Sequence, residues 1–149
     1  MLVSEREPTV STASTEWARR MLRERQAFAA TRWSRSMSVP ATTLDEMVRR
    51  YGRPAFCKVD VEGYDLEVLR GLSEPLPALS FEYVPPALDL ALACVERINH
   101  LGEYEFNWSA GESMQPYWST WVPRDVLVDH LCAIPSQGTP GDVYARLRR

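Results

Sequence analysis

Apolar and polar positions recur with two different periods along this 149-residue chain, and the changes of period divide it into elements. Leu44, Met47, Val48 and Tyr51 fall at i, i+3, i+4 and i+7, one face of a helix. Thr43 and Glu46 have capping-box spacing, Arg49 and Arg50 fill the last turn, and Gly52 and Pro54 stop it. Residues 56–63, Phe-Cys-Lys-Val-Asp-Val-Glu-Gly, follow a period of two instead. In an extended chain Lys58, Asp60 and Glu62 point one way and Cys57, Val59 and Val61 the other. Gly63 then turns the chain into a helix over 64–70, with Leu66 and Leu69 at helical spacing, Asp65 and Glu67 in the first turn and Gly71 at the end.

The same two periods organise the remainder. A strand is predicted over 78–83, ending in Glu82 as the previous strand ends in Asp60. Pro85-Pro86 opens a helix striped by Leu88, Ala91, Leu92, Val95, Ile98 and Leu101, with His100 placed as a last-turn residue. Tyr104, Phe106 and Trp108 alternate with Glu105 and Asn107, which predicts a half-buried strand. A helix over 123–134 turns Val126, Leu127 and Leu131 inward, and a last strand is expected over 142–147 after a Gly/Pro linker. Toward the N-terminus, Met1-Leu2-Val3 reads as the end of a strand, residues 16–30 as a helix carrying Trp17, Met21, Leu22 and Phe28, and the surroundings of Met37 and Val39 as β-favourable. The order of elements predicts an α/β fold, mainly parallel with an antiparallel last strand, of the kind found in the later half of a doubly wound sheet. Residues 1–149 are expected to form one partial domain, with a strand remnant and a helix in 1–38 and the α/β core in 39–149.

Charge narrows the possible partners. The net charge is -3, and the first 37 residues hold seven arginines against four acids, so the body of the chain is acidic. Nonspecific binding to nucleic acid is not expected. Basic residues are sixteen arginines and a single lysine, Lys58. Cys57, Cys94 and Cys132 are odd in number, far apart and set in apolar runs, which points to buried thiols in a reducing compartment. No apolar run approaches the roughly 20 residues of a membrane span and no signal-peptide layout is present, so a cytoplasmic location is expected.

Ligands of open α/β sheets sit beyond the carboxyl ends of the strands, where Asp60, Glu62 and Glu82 fall. Buried charges are costly unless they are paired or used. A structural ion pair with Lys58 and a catalytic cluster both answer that requirement. Asp45, likewise, is read as a residue favoured by the helix dipole or as a substrate contact.

Thr43-Leu44-Asp45, then Lys58-Val59-Asp60-Val61-Glu62-Gly63 and Val68-Leu69-Arg70-Gly71, followed by Leu79-Ser80-Phe81-Glu82-Tyr83, resemble the signature of FkbM-type methyltransferases. The resemblance is strongest over residues 39–83 and implies the C-terminal half of a Rossmann-like class I fold. It implies S-adenosylmethionine as cofactor and a small-molecule hydroxyl, on a sugar or natural product, as acceptor. It places Asp60 beside the transferred methyl as base or orienting group, with Lys58 and Glu62 as catalytic neighbours. Glu82, Tyr83 and Trp108 are the expected substrate contacts, and Asp60 and Gly63 the candidate cofactor contacts; no metal is required. The family's glycine-rich Asp-x-Gly-x-Asn-x-Gly turn has no counterpart in this sequence. A fragment that binds cofactor weakly by itself is therefore expected, its strand edge at 56–61 covered by the N-terminal Trp17 helix, by an N-terminal half or by a second copy. Two other classes stay open: a Mg²⁺-dependent phosphoryl hydrolase built on Asp60, Glu62 and Glu82, and a noncatalytic module whose Trp108, Tyr117, Trp118 and Trp121 hold a sugar or natural product.

Overall fold

Four strands carry the fold in a computed structural model that describes residues 1–24 and 31–148. They are β3 (Cys57–Val59), β4 (Ala78–Tyr83), β5 (Tyr104–Ala110) and β6 (Gly141–Leu147), arranged in the order β3-β4-β6-β5. β3 and β4 pair parallel, whereas β6 is antiparallel to both β4 and β5. Three strands thus share one direction and the last runs against them. The expected antiparallel last strand is present, but by its insertion two of the three ladders become antiparallel. Gly141 permits the insertion: a Cβ there would lie 1.9 Å from the Ser109 carbonyl oxygen.

Alternation along these strands sorts the side chains by face. Val59, Leu79, Phe81, Tyr83, Tyr104, Phe106, Trp108, Val143 and Ala145 join one buried cluster. That cluster also takes in Leu69 of α3 (Asp65–Arg70), Val95 and Ile98 of α4 (Leu88–Leu101), and Leu127 and Leu131 of α5 (Arg124–Ala133). Each large apolar side chain so buried contributes about 1.5–3 kcal/mol. Arg97 of α4 ties the helices together by donating to the carbonyls of Leu69 and Leu72. The other face is polar: in register across the sheet stand Lys58, Ser80, Tyr144 and Asn107, and in the next row Glu82, Asp142 and Ser109.

A second, smaller unit docks beside the C-terminal end of β4. β1 (Leu2–Ser4) and β2 (Trp33–Ser36) form an antiparallel pair, so the N-terminal strand has its own partner outside the four-stranded sheet. The strand ends at Ser36; Met37, expected in a strand, still exchanges backbone hydrogen bonds with Met1 at 2.8 and 2.9 Å, and both Met37 and Val39 are exposed. Helix α1 (Thr15–Glu24) starts where the Ser14 hydroxyl accepts from the Trp17 N–H, a side-chain N-cap. Trp17 and Met21 pack with Val84 and Ala87, and Arg20 pairs with Asp89 at the start of α4. The remainder of the helix expected over 16–30, Phe28 included, lies outside the described residues.

Helix α2 (Leu44–Tyr51) has the predicted cap, the Thr43 hydroxyl accepting from the Glu46 N–H at 3.2 Å. The Glu46 carboxylate binds Arg49 rather than closing the box. None of its residues is buried: Met47 and Tyr51 are exposed, and so is Phe56 ahead of β3. Two further differences are local. Pro85–Ala87 forms a 3-10 turn before α4 begins, and Val126 is turned outward on α5.

Candidate functional site

β3 stops at Val59, and the charged positions after it are arranged by a turn rather than by strand alternation. Glu62 adopts a left-handed φ of 52° and Gly63 one of 79°. The turn is held from the N-terminal unit: the Thr12 hydroxyl donates to the Glu62 carbonyl at 2.6 Å, and Trp17 lies directly against Gly63. The Gly63 N–H donates to Asp65 Oδ2 at 3.2 Å, which fastens the turn to the start of α3. By this route Glu62 comes back over the sheet. One carboxylate oxygen from each of Asp60, Glu62 and Glu82 lies within 4.8 Å of the others.

Lys58 stands beside this group. Its Nζ is 3.0 Å from Asp142 Oδ1 and 3.5 Å from Asp60 Oδ2. Burial alone would lower the ammonium pKa, but the bonds and charges of Asp142 and Asp60 outweigh it and the pKa rises. The acids feel their own burial and one another. Burial, then the charges of Glu82, Asp60 and Asp65, push Glu62 up to about 8. Burial, followed by Asp60, Asp65 and Asp142, pushes Glu82 up to about 7 although Lys58 opposes the shift. Asp65 is raised to about 6 by burial, against the pull of backbone N–H groups. The arrangement holds carboxyls poised to exchange protons near neutrality, which suits acid–base work at a strand end.

Asp65 and Asp142 belong to the site and were not singled out from the sequence. Asp65 had the ordinary look of a first-turn acid, and Asp142 that of a charged residue opening a strand. Only the register Glu82↔Asp142 reveals the second.

Two expected substrate contacts lie elsewhere. Tyr83 follows Glu82 and so points to the opposite face, where it is fully buried and its hydroxyl donates to the Leu131 carbonyl at 3.1 Å. Trp108 shares that buried face. With Tyr117 and Trp118 it surrounds His130, whose ring centroid is 5.0, 4.4 and 5.0 Å from theirs. Burial lowers the His130 pKa, Tyr117 stays exposed, and Trp121 instead lies under the Arg146 guanidinium, 4.6 Å from its ring centroid. Asp45 accepts from the Ser73 N–H at 2.8 Å, which gives it a local structural role beside the helix dipole. His100 keeps its last-turn place, with Nδ1 2.7 Å from the Glu96 carbonyl oxygen. Of the three free cysteines Cys94 is buried and Cys57 half-buried, but Cys132 is exposed, contrary to expectation.

The cavity between the strand ends and α1 is small. It is lined by Trp17, Gly63, Asp65, Glu82, Val84 and Cys94 and measures about 20 Å³, room for a single water. No described helix is long and apolar enough to cross a membrane. Comparison with known proteins gives one family: the methyltransferase FkbM domain matches residues 5–114. No curated protein and no solved structure matches the chain.

Proposed function

The chain belongs to the FkbM methyltransferase family, and from that premise we propose that it serves methyl transfer from S-adenosylmethionine to a hydroxyl oxygen of a sugar or natural-product small molecule. The observation that carries this reading is the convergence of Asp60, Glu62 and Glu82 at the ends of two adjacent parallel strands. Methylating an oxygen from a sulfonium donor requires an oriented hydroxyl and removal of its proton as the new C–O bond forms and the methyl C–S bond breaks, releasing a neutral thioether. Asp60, the most exposed of the three, receives the acceptor hydroxyl and takes its proton. Glu62 and Glu82 hold the acceptor in place, and Lys58 balances the charge on Asp60.

The described residues do not by themselves fit the cofactor. Small-molecule sites occupy about 300 Å³ or more, and the cavity at these strand ends holds about 20 Å³. The donor therefore needs further surface. The outer edge of β3, to which no described strand is paired, and the unburied face of α2 are the places where an N-terminal half or a second copy would complete it.

The test is transfer of labelled methyl from S-adenosylmethionine to a panel of hydroxyl compounds, by the chain complemented with an N-terminal half that makes it active and by the same assembly carrying Asp60→Asn. A base typically contributes about 10²–10⁴-fold, so the variant is expected to lose that much turnover with its melting temperature preserved. Equal turnover in the two proteins would remove Asp60 from the mechanism.

A further inference from the structure

We propose that Asp60, Glu62 and Glu82, backed by the buried Asp65, bind one divalent cation of the hard, oxygen-preferring class: Ca²⁺, Mn²⁺ or Mg²⁺. Three carboxylate oxygens from three chain positions lie within 4.8 Å of one another. Two oxygens on the same Ca²⁺, each at 2.3–2.6 Å from it, are separated by at most about 5 Å, so one cation can reach all three with little rearrangement.

An acidic cluster can equally be a solvated patch, and Asp65 decides between the two. It is only 7% exposed, and its Oδ1 has no hydrogen-bond partner among the described residues. Its Oδ2 is engaged by the Gly63 N–H, which fixes the orientation of the carboxyl group. Asp65 lines the same small cavity as Glu82, and its charge acts on both Glu62 and Glu82. A buried acceptor with no donor is the signature of a missing partner, and beside three further carboxylates a cation answers it.

Among the described residues no cation supplies it. The chain has sixteen arginines, yet among the described residues the only basic group in ion-pair contact with any of these four acids is Lys58, at 3.5 Å from Asp60 and closer still to Asp142. A purely structural charge cluster would be expected to recruit an arginine, whose planar fork pairs well with carboxylates. Carboxylates left without one are the donor set that hard cations prefer. The cavity beside Glu82 and Asp65 has room for one water.

This inference does not depend on methyl transfer, because cation binding is read with neither cofactor nor acceptor present. Chelator-treated protein is titrated calorimetrically with CaCl₂, MnCl₂ and MgCl₂, and in parallel with Tb³⁺, whose luminescence Trp17 beside the site would sensitise. One saturable site is expected for at least one of the divalent ions, together with a rise in melting temperature on saturation. Glu62→Gln combined with Glu82→Gln should weaken binding at least tenfold and abolish the thermal shift, and Asp65→Asn should weaken it about threefold or more. Glu105→Gln, which alters the ion pair with Arg146 at the far end of the sheet, should change neither. Circular dichroism checks that each variant folds, and Asp65→Asn gives an independent reading if the double variant does not. The proposal is overturned by the absence of saturable binding up to about 10 mM, beyond the millimolar range of weak calcium sites, or by equal affinity in wild type and the folded acid variants. In either case protons alone neutralise the cluster, and the methyltransferase reading stands unaffected.

Discussion

Gly63 is the residue on which the site's geometry turns. Its φ of 79° is open to glycine at little cost, and a Cβ there would sit 2.1 Å from Trp17 Cδ1. Gly63→Ala therefore meets both backbone strain and a clash with a buried indole. A loss of about 2–4 kcal/mol is expected in urea unfolding, with the acid cluster loosened at the same time. The opposite sign is expected for Glu62→Gln. It removes a charge that burial and three other acids disfavour, so at pH 8 and in the absence of divalent ions the variant should gain roughly 0.5–2 kcal/mol. A loss of stability there would mean that the Glu62 carboxylate has a favourable partner.

At the scale of elements, α1 and α2 are opposites. α1 is anchored: Trp17 and Met21 are buried against Val84 and Ala87, and Trp17 meets Trp33 edge-on at 6.2 Å. Trp17→Ala should cost about 3–5 kcal/mol and open the small cavity above Asp65 and Glu82. The Arg20–Asp89 pair draws the Asp89 pKa down, through the hydrogen bond first, but Asp89 is well exposed, so its loss should matter far less. α2, by contrast, is a well-capped helix with an unburied apolar stripe, and the chain after it leads through the exposed Phe56 into an edge strand. Unpaired edges and apolar patches favour association. Sedimentation of the purified chain should show concentration-dependent self-association, diminished by Met47→Glu combined with Phe56→Glu. A monomer at every concentration would discard this surface as a docking face.

For the whole molecule the acid cluster sets the pH dependence. Glu62, Glu82 and Asp65 have folded pKa values of about 8, 7 and 6, above their ordinary values of 4.5, 4.5 and 3.8. Between those limits the folded chain holds more protons than the unfolded one, so stability falls as pH rises. The contribution is fully present below the ordinary carboxylate values and is lost in turn through about pH 6, 7 and 8. Two groups work in the other direction on acidification, Asp89 and His130, whose pKa values are both lowered. The melting temperature in chelator should thus be about 3–6 °C lower at pH 8.5 than at pH 6. A curve rising over that interval would contradict the burial of these acids.

Much of this protein is legible from local pattern. Period and capping place α2, α4, α5, β4, β5 and β6 close to their observed bounds, because a helix or strand that buries one face must repeat its apolar residues with its own geometry. The same reasoning sets Asp60 and Glu82 at strand ends, and the residues around them carry the family signature. What local pattern leaves open is which elements become neighbours. Alternation separates Glu82 from Tyr83, but only the covering helices decide that Tyr83 lies in the core. β6 enters between β4 and β5 and so brings Asp142 to Lys58, a contact 84 residues apart in sequence. The turn that swings Glu62 over the sheet is held by Thr12 and Trp17, fifty residues away in the case of Thr12. Asp65 differs from any other first-turn acid only by what buries it. Residue type and spacing determine which groups can do chemistry; tertiary contacts decide which of them meet, because burial and long-range charge are properties of the assembled chain.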